Sequence, residues 1–187
     1  MKDDFHLALY RGASADTIAV DDYLALNADA RAGVAADLDM ATISLIVDGQ
    51  ERIAHLASLG PLAALVPQLE PARARLSRRD PALVRSGVVD LDDGHYLLFE
   101  PDPSGDRVNV SVVSTDARPE SSWFPHGPHG DALYAHVAAH RSALLARTRA
   151  AGALPVELPM DRDRLLAALA REAKSGAALL ASPGGVR

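Results

Sequence analysis

The sequence predicts an α+β fold: a single domain with a mainly antiparallel sheet of about five or six strands, packed by two to four helices. Three observations predict it. Apolar residues alternate along several short segments, turn-forming residues such as Asp-Gly separate those segments, and longer segments have helical periodicity. Because the connections between the predicted strands are short, neighbouring strands are expected to run antiparallel. We expect the domain to span residues 1–180 and residues 181–187 to form a loose tail.

The first predicted hairpin lies between residues 41 and 57. Ile43, Leu45 and Val47 share one face of a strand, which is the pattern of a half-buried strand. Asp48-Gly49 then separates this strand from a second one. A type I′ turn requires a positive φ at both central residues, and Asp-Gly accommodates that conformation. The sequence therefore predicts Asp48-Gly49 at the tip of a hairpin.

A second group of strands is predicted at 88–91, 95–99 and 107–115, which completes a strand meander over 41–115. Alternate valines of the last strand are expected to face the core: Val108, Val110 and Val112. The apolar segment Phe5–Tyr10 is a candidate sixth strand at a sheet edge. Acidic residues near the connections are interpreted as turn residues rather than a calcium loop: Asp90, Asp92, Asp93, Glu100, Asp102 and Asp106.

Helices are predicted around these strands. Gly60-Pro61 opens one, which Pro67 and Pro71 are expected to divide or kink before Arg79. A second covers 131–151, ends at Gly152, and is expected to bury one stripe of residues: Leu133, Val137 and Leu144. A third covers 161–175, beginning near Asp161 and stopping before Gly176. Residues 152–160 are predicted to be a connector, and residues 21–36 are ambiguous, with Asp21 a candidate helix cap.

Composition excludes several classes of function. The chain has 187 residues, no cysteine and a formal net charge of −6. The lack of cysteine excludes disulfides and thiolate metal sites. The acidic balance argues against a nucleic-acid partner, because phosphate neutralisation requires a basic surface. With no long apolar segment and no targeting sequence in view, we expect a cytoplasmic protein without a membrane partner. Abundant Ala and Arg, with only Lys2 and Lys174 as lysines, indicate a bacterial source.

Four of the seven histidines lie between residues 126 and 140: His126, His129, His136 and His140. His136 and His140 are one helical turn apart, which allows two imidazoles to bind one zinc or nickel ion, with Asp131 as a further ligand. Val137 stands where the zinc-protease motif has its general-base Glu, so hydrolysis of that type is not predicted. Because His140 falls within the apolar stripe of the helix, the sequence favours a core histidine over a metal ligand.

Two other groups of residues are candidates for binding. Trp123 and Phe124 are adjacent aromatic residues that could anchor a partner protein or plug one end of the core. With His126 and His129 they form the predicted partner-binding residues. The second group is basic and is interpreted either as a solvated helix face or as a site for an anion or acidic partner: Arg73, Arg75, Arg78 and Arg79.

The sequence contains no complete catalytic set and no phosphate-binding glycine motif. It therefore predicts a non-catalytic bacterial protein-binding module without a cofactor, such as an inhibitor or immunity-type protein for a basic partner. The alternative is a histidine-based, metal-dependent enzyme that uses the 126–140 histidines with zinc or nickel. Stoichiometric metal in the purified protein would favour the enzyme over the binding module.

Overall fold

The computed structural model contains helices and two antiparallel sheets within the residues that it describes. The chain divides into two compact units: the first unit comprises Met1–Pro67 and Ala167–Arg187, and the second comprises Gln68–Leu166. Each unit contains one four-stranded sheet. The described residues are 4–14, 16–47, 50–55, 60–78, 87–92, 95–114, 139–140, 142–143, 146, 150 and 158–182.

The sheet of the first unit has the strand order β2-β1-β3-β4. Its strands are β1 (Asp4–Arg11), β2 (Asp16–Ala19), β3 (Leu38–Val47) and β4 (Gln50–His55). Strands β3 and β4 pair with Val47 opposite Gln50. The predicted pairing of these two strands is therefore confirmed, whereas Asp48-Gly49, the predicted tip of the hairpin, lies outside the described residues.

Strand β1 is the predicted strand of Phe5–Tyr10, but its predicted position at a sheet edge is wrong. It lies between β2 and β3 and pairs with both. Its alternate residues Phe5, Leu7 and Leu9 are each at most 1% exposed. A strand with so much apolar burial is better placed inside a sheet than at its edge, because edge strands are partly solvated.

Two short helices follow β2, in the region that the sequence left ambiguous. Helix α1 (Val20–Ala25) has Ala19 at its N-cap, so Asp21 does not cap it. Helix α2 (Ala28–Ala35) is capped by Asn27, whose side chain accepts a hydrogen bond from the backbone N–H of Ala30. An Asn in this position satisfies one of the donors that the first helical turn leaves free.

Helix α3 (Gly60–Ser77) is one helix, so of the two predicted outcomes the division at the prolines is wrong, and the single kinked helix stays a prediction. Pro67 and Pro71 are four residues apart and both are exposed, which places their rings on the outer face. Each proline removes one backbone hydrogen bond, at a cost that tertiary packing can offset. Buried residues on the other face of α3 supply that packing: Leu65, Leu69, Ala72 and Leu76.

The sheet of the second unit has the strand order β5-β6-β7-β8. Its strands are β5 (Gly87–Asp92), β6 (His95–Pro101), β7 (Arg107–Ser114) and β8 (Leu158–Asp161). The three strands predicted between residues 87 and 115 are therefore confirmed. Val108 and Val110 are fully buried as predicted, whereas the side chain of Val112 lies outside the description. Strand β8 replaces the end of the predicted connector and pairs with β7, with Met160 opposite Val108.

The predicted α+β class with antiparallel strands is confirmed, but a single sheet of five or six strands is not shown, because the strands of the described residues form two sheets of four. Alternating apolar residues indicate that a segment is a strand, but they do not indicate which strands pair. In the structure, the first hairpin extends a sheet that begins at the N-terminus, and the later meander gains β8 from a distant part of the chain.

Helix α4 (Arg162–Ala181) begins where the sequence predicts but extends past Gly176 and into the predicted tail. Gly176 is buried, and a Cβ atom there would lie 2.5 Å from Cγ2 of Val66. The glycine therefore permits close packing in the first unit rather than ending the helix. In the predicted helix 131–151, six of the described residues are helical and exposed: Ala139, His140, Ser142, Ala143, Ala146 and Ala150. The predicted buried stripe, Leu133, Val137 and Leu144, lies outside the described residues.

Candidate functional site

Most of the predicted binding residues fall outside the described part of the chain: Trp123, Phe124, His126, His129, His136 and Arg79. His140 is described, and it is exposed on a helical segment. Its interpretation as a core histidine is therefore wrong. Within the described residues, no three His, Cys, Asp or Glu side chains are placed to hold a metal ion. The zinc or nickel site stays a prediction for the histidines between 126 and 140.

The predicted arginine cluster is described at Arg73, Arg75 and Arg78. Arg73 makes a bidentate ion pair with Glu70: its Nε donates to Oε2 at 2.7 Å, and its Nη2 donates to Oε1. The hydrogen bond from Arg73 is the main reason that the pKa of Glu70 lies below its ordinary value. The guanidinium of Arg73 is therefore already paired with Glu70, which lies one helical turn away. An anion site at this cluster stays a prediction.

A hollow lined by described residues of the second unit is a candidate site, and we call it the turn hollow. It has a volume of about 400 Å³. It lies where the connection between β6 and β7 meets the start of α4. Seven residues line it: Pro101, Ser104, Gly105, Asp106, Asp161, Arg162 and Asp163.

Asp102 builds the turn on one side of this hollow. Its Oδ1 atom accepts hydrogen bonds from the Ser104 hydroxyl and the Gly105 N–H, each at 2.8 Å. Gly105 has a φ of 79°, a conformation that glycine adopts without strain. The Ser104 hydroxyl is the largest cause of the lowered pKa of Asp102. Asp102 therefore has a structural role in the turn, as the sequence predicts.

The start of α4 forms the other side of the hollow. Asp161 caps the helix, because its Oδ1 accepts a hydrogen bond from the Arg164 N–H at 3.0 Å. The Arg162 N–H donates to the carbonyl of Asp106 at 3.0 Å, which ties the turn to the helix. Arg162 is 9% exposed, and its guanidinium donates to the carbonyl of Leu76 through Nε at 3.1 Å and Nη2 at 2.6 Å. This cation is thus engaged at the last turn of α3.

Two carboxylates of the hollow remain available. Asp106 and Asp163 are exposed, and neither side chain has a hydrogen bond or ion pair with the described residues. With the Ser104 hydroxyl they offer several acceptors around a concave space. Such a set favours a guanidinium or ammonium group, which carries several donors and a positive charge. The turn hollow can therefore bind a basic side chain.

Sequence reasoning placed Asp106 in a turn and overlooked Asp163. The two are 57 positions apart along the chain, and they come together because β7 pairs with β8 and the Arg162 N–H bonds to the carbonyl of Asp106. The one available signal was Asp161-Arg162-Asp163 at a predicted helix start. Acidic residues are common there because they interact favourably with the helix dipole, so the pattern alone does not indicate binding.

Of the described helices, none is long and apolar enough to cross a membrane. Comparisons with protein-family models, with curated proteins and with solved structures found no match for this chain.

Proposed function

We propose that this chain is a non-catalytic protein-binding module of the bacterial cytoplasm, of the inhibitor or immunity type, that holds a basic partner protein. The observation that carries the proposal is the turn hollow, a concave space of about 400 Å³ whose lining residues include Asp106 and Asp163. An arginine or lysine of the partner is the group that fits these acceptors.

The charge of the whole chain supports the same partner class. A formal net charge of −6 attracts a basic protein over a distance and raises the rate of encounter. Within the hollow, the partner cation meets two carboxylates that have no competing ion pair with the described residues. The aromatic residues Trp123 and Phe124, with His126 and His129, are the proposed anchors that slow dissociation.

The bonding around the hollow supports binding rather than catalysis. The Ser104 hydroxyl donates to Asp102, whose lowered pKa makes it a weak base at neutral pH. Asp161 and Arg162 are engaged in capping α4 and in the bond to Leu76. These groups hold the turn and the helix in place, while the two remaining carboxylates present charge.

A paired charge variant tests the proposal. The double variant D106N/D163N removes both carboxylates of the hollow with almost no change in shape. We expect its affinity for a deca-arginine peptide, measured by calorimetry at low ionic strength, to fall by at least about fivefold, since each contact to a charged group contributes roughly 1 kcal/mol or more.

The matched control is D22N/D29N, which removes the same charge from two exposed residues of the first unit. An equal loss of affinity in both double variants would show that only net charge matters and that the hollow is not the site. Stoichiometric zinc or nickel in the purified protein, with a turnover abolished by His136→Ala or His140→Ala, would replace this proposal with the metal-dependent enzyme.

A further inference from the structure

A cluster of charged residues in the first unit joins α4 to β1, and we call it the α4 latch. It consists of Asp4 from β1, Asp21 from α1, and Arg171, Glu172 and Ser175 from α4. Arg171 makes ion pairs with Asp4 at 3.3 Å, Asp21 at 3.4 Å and Glu172 at 2.8 Å. The Ser175 hydroxyl donates to Asp21.

The latch covers the part of one edge of β1 that β2 does not reach, while β3 pairs with the opposite edge. Strand β2 pairs only with Ala8–Arg11. Beyond the end of β2, the N–H of Leu7 donates to Oε2 of Glu172 at 2.9 Å, and the carbonyl of Phe5 accepts from Nη2 of Arg171 at 2.8 Å. Residues two apart direct their backbone groups to the same edge of a strand. Two side chains of α4 thus take the place of a neighbouring strand.

The charges of the latch do not balance. Three carboxylates, on Asp4, Asp21 and Glu172, surround the single guanidinium of Arg171. Glu172 is 1% exposed, whereas the side chains of Asp4 and Asp21 are each 43% exposed. A buried carboxylate loses its hydration, and a shared guanidinium offsets only part of that loss. Of the three carboxylates, Glu172 is therefore the one whose protonation removes the largest desolvation cost.

We propose that the α4 latch is a proton-binding device: when Glu172 takes up a proton, α4 is held more firmly on β1. A protonated carboxyl group keeps a carbonyl oxygen that can accept the Leu7 N–H, so the edge of β1 stays covered. The charge that burial disfavours is then gone; the ion pair between Glu172 and Arg171 is lost with it, but Arg171 remains paired with Asp4 and Asp21. The first unit is therefore tighter at a pH at which Glu172 is protonated than at a higher pH at which it is ionised.

The direction of proton binding agrees with this geometry. Burial raises the pKa of Glu172 above its ordinary value, against the opposing effects of the Leu7 N–H and Arg171. A carboxyl group whose pKa is higher in the folded state binds its proton more tightly there than in the unfolded chain. Its contribution to stability therefore grows as pH falls through the folded pKa, is complete below the unfolded pKa, and is lost as pH rises.

The first test is the titration of the wild-type protein. We expect the side-chain carboxyl carbon of Glu172, followed by NMR, to titrate with a midpoint above the ordinary value of 4.5. The same midpoint should govern hydrogen exchange of the Leu7 amide: after correction for the intrinsic rate, opening at this amide should become rarer as pH falls through the midpoint. A midpoint at or below the ordinary value would overturn the proposal.

The second test is E172Q, which is neutral at every pH. We expect protection of the Leu7 amide in E172Q to match or exceed that of the wild type at neutral pH and to lose its dependence on pH. The control is D29N, an exposed carboxylate of the same unit, which should keep the wild-type dependence. If E172Q keeps the wild-type pH dependence, another group binds the proton and the proposal fails.

Discussion

Gly176 lies in the C-terminal half of α4, at the point where the side chain of Val66 approaches the helix backbone. A Cβ at this position would lie 2.5 Å from Cγ2 and 3.2 Å from Cγ1 of Val66. Valine is branched at Cβ and has little freedom to turn its methyl groups away. A single hydrogen in place of a methyl group therefore decides how closely these two residues pack.

Gly176→Ala should destabilise the protein despite the higher helix propensity of alanine. Overpacking costs roughly 1–3 kcal/mol, and the propensity gain returns up to about 1 kcal/mol. We expect a net loss of about 1–2 kcal/mol in the free energy of unfolding in urea. Gly33→Ala is the control, because Gly33 lies within α2 with nothing within 4 Å of the new Cβ. It should instead stabilise by about 0.5–1 kcal/mol, and the same sign in both variants would contradict this packing.

At the scale of elements, the first turn of α4 binds the last turn of α3 through one residue. Arg162 is buried and donates two hydrogen bonds to the carbonyl of Leu76. The last carbonyls of a helix lack partners within that helix and carry partial negative charge, so a cation is favoured there. This bond fixes the start of α4 and with it Asp163 in the turn hollow.

Arg162→Ala should therefore cost about 2–3 kcal/mol in the free energy of unfolding, because it removes hydrogen bonds from a charged donor and leaves a buried carbonyl without them. Arg164→Ala is the matched control, since Arg164 is exposed and its backbone N–H still binds Asp161. We expect its cost to stay within about 0.5 kcal/mol. Equal costs in a urea titration would show that the bond to Leu76 contributes no stability.

The elements also show what the sequence could predict. Period-two alternation and Asp-Gly located β3, β4 and the meander β5–β7, because these signals are local. The sequence did not predict strand β8, because this segment has only four residues, one of them Pro159, and becomes a strand only by pairing with β7. The predicted division of α3 and the predicted helix end at Gly176 were wrong for the same reason: tertiary packing overrides the local preference of proline and glycine.

The candidate site was predictable only in part. The role of Asp102 follows from turn chemistry that is local in sequence. Whether Asp106 and Asp163 can accept a partner's cation depends on whether nearby cations of the chain pair with other groups. Arg162, for example, donates to the carbonyl of Leu76 instead. Glu172 gave no sequence signal at all, since a glutamate in a helix is normally exposed. Its partner, the N–H of Leu7, is 165 positions away in the chain.

At the scale of the whole molecule, charge acts over a distance and contact residues act only after encounter. The net charge of −6 belongs to the chain as a whole, whereas Asp106 and Asp163 present two charges in one hollow. Salt strongly screens the long-range attraction that comes from the net charge, because the screening length falls from about 10 Å at 0.1 M to about 3 Å at 1 M. The proposed function therefore predicts different kinetic consequences for charge and for aromatic contact.

Association with a basic partner should slow several-fold as salt rises over this range, with a smaller change in dissociation. Trp123→Ala should do the opposite: it should leave association nearly unchanged and speed dissociation, at a cost of at least about 2 kcal/mol in binding free energy. Stopped-flow measurements with a labelled deca-arginine peptide, and then with the natural partner, separate the two rates. Phe5→Leu serves as a control for general destabilisation, because Phe5 is fully buried in the first unit. If Trp123→Ala alters dissociation no more than Phe5→Leu does, Trp123 is not an anchor; if association does not depend on salt, the partner is not recruited by charge.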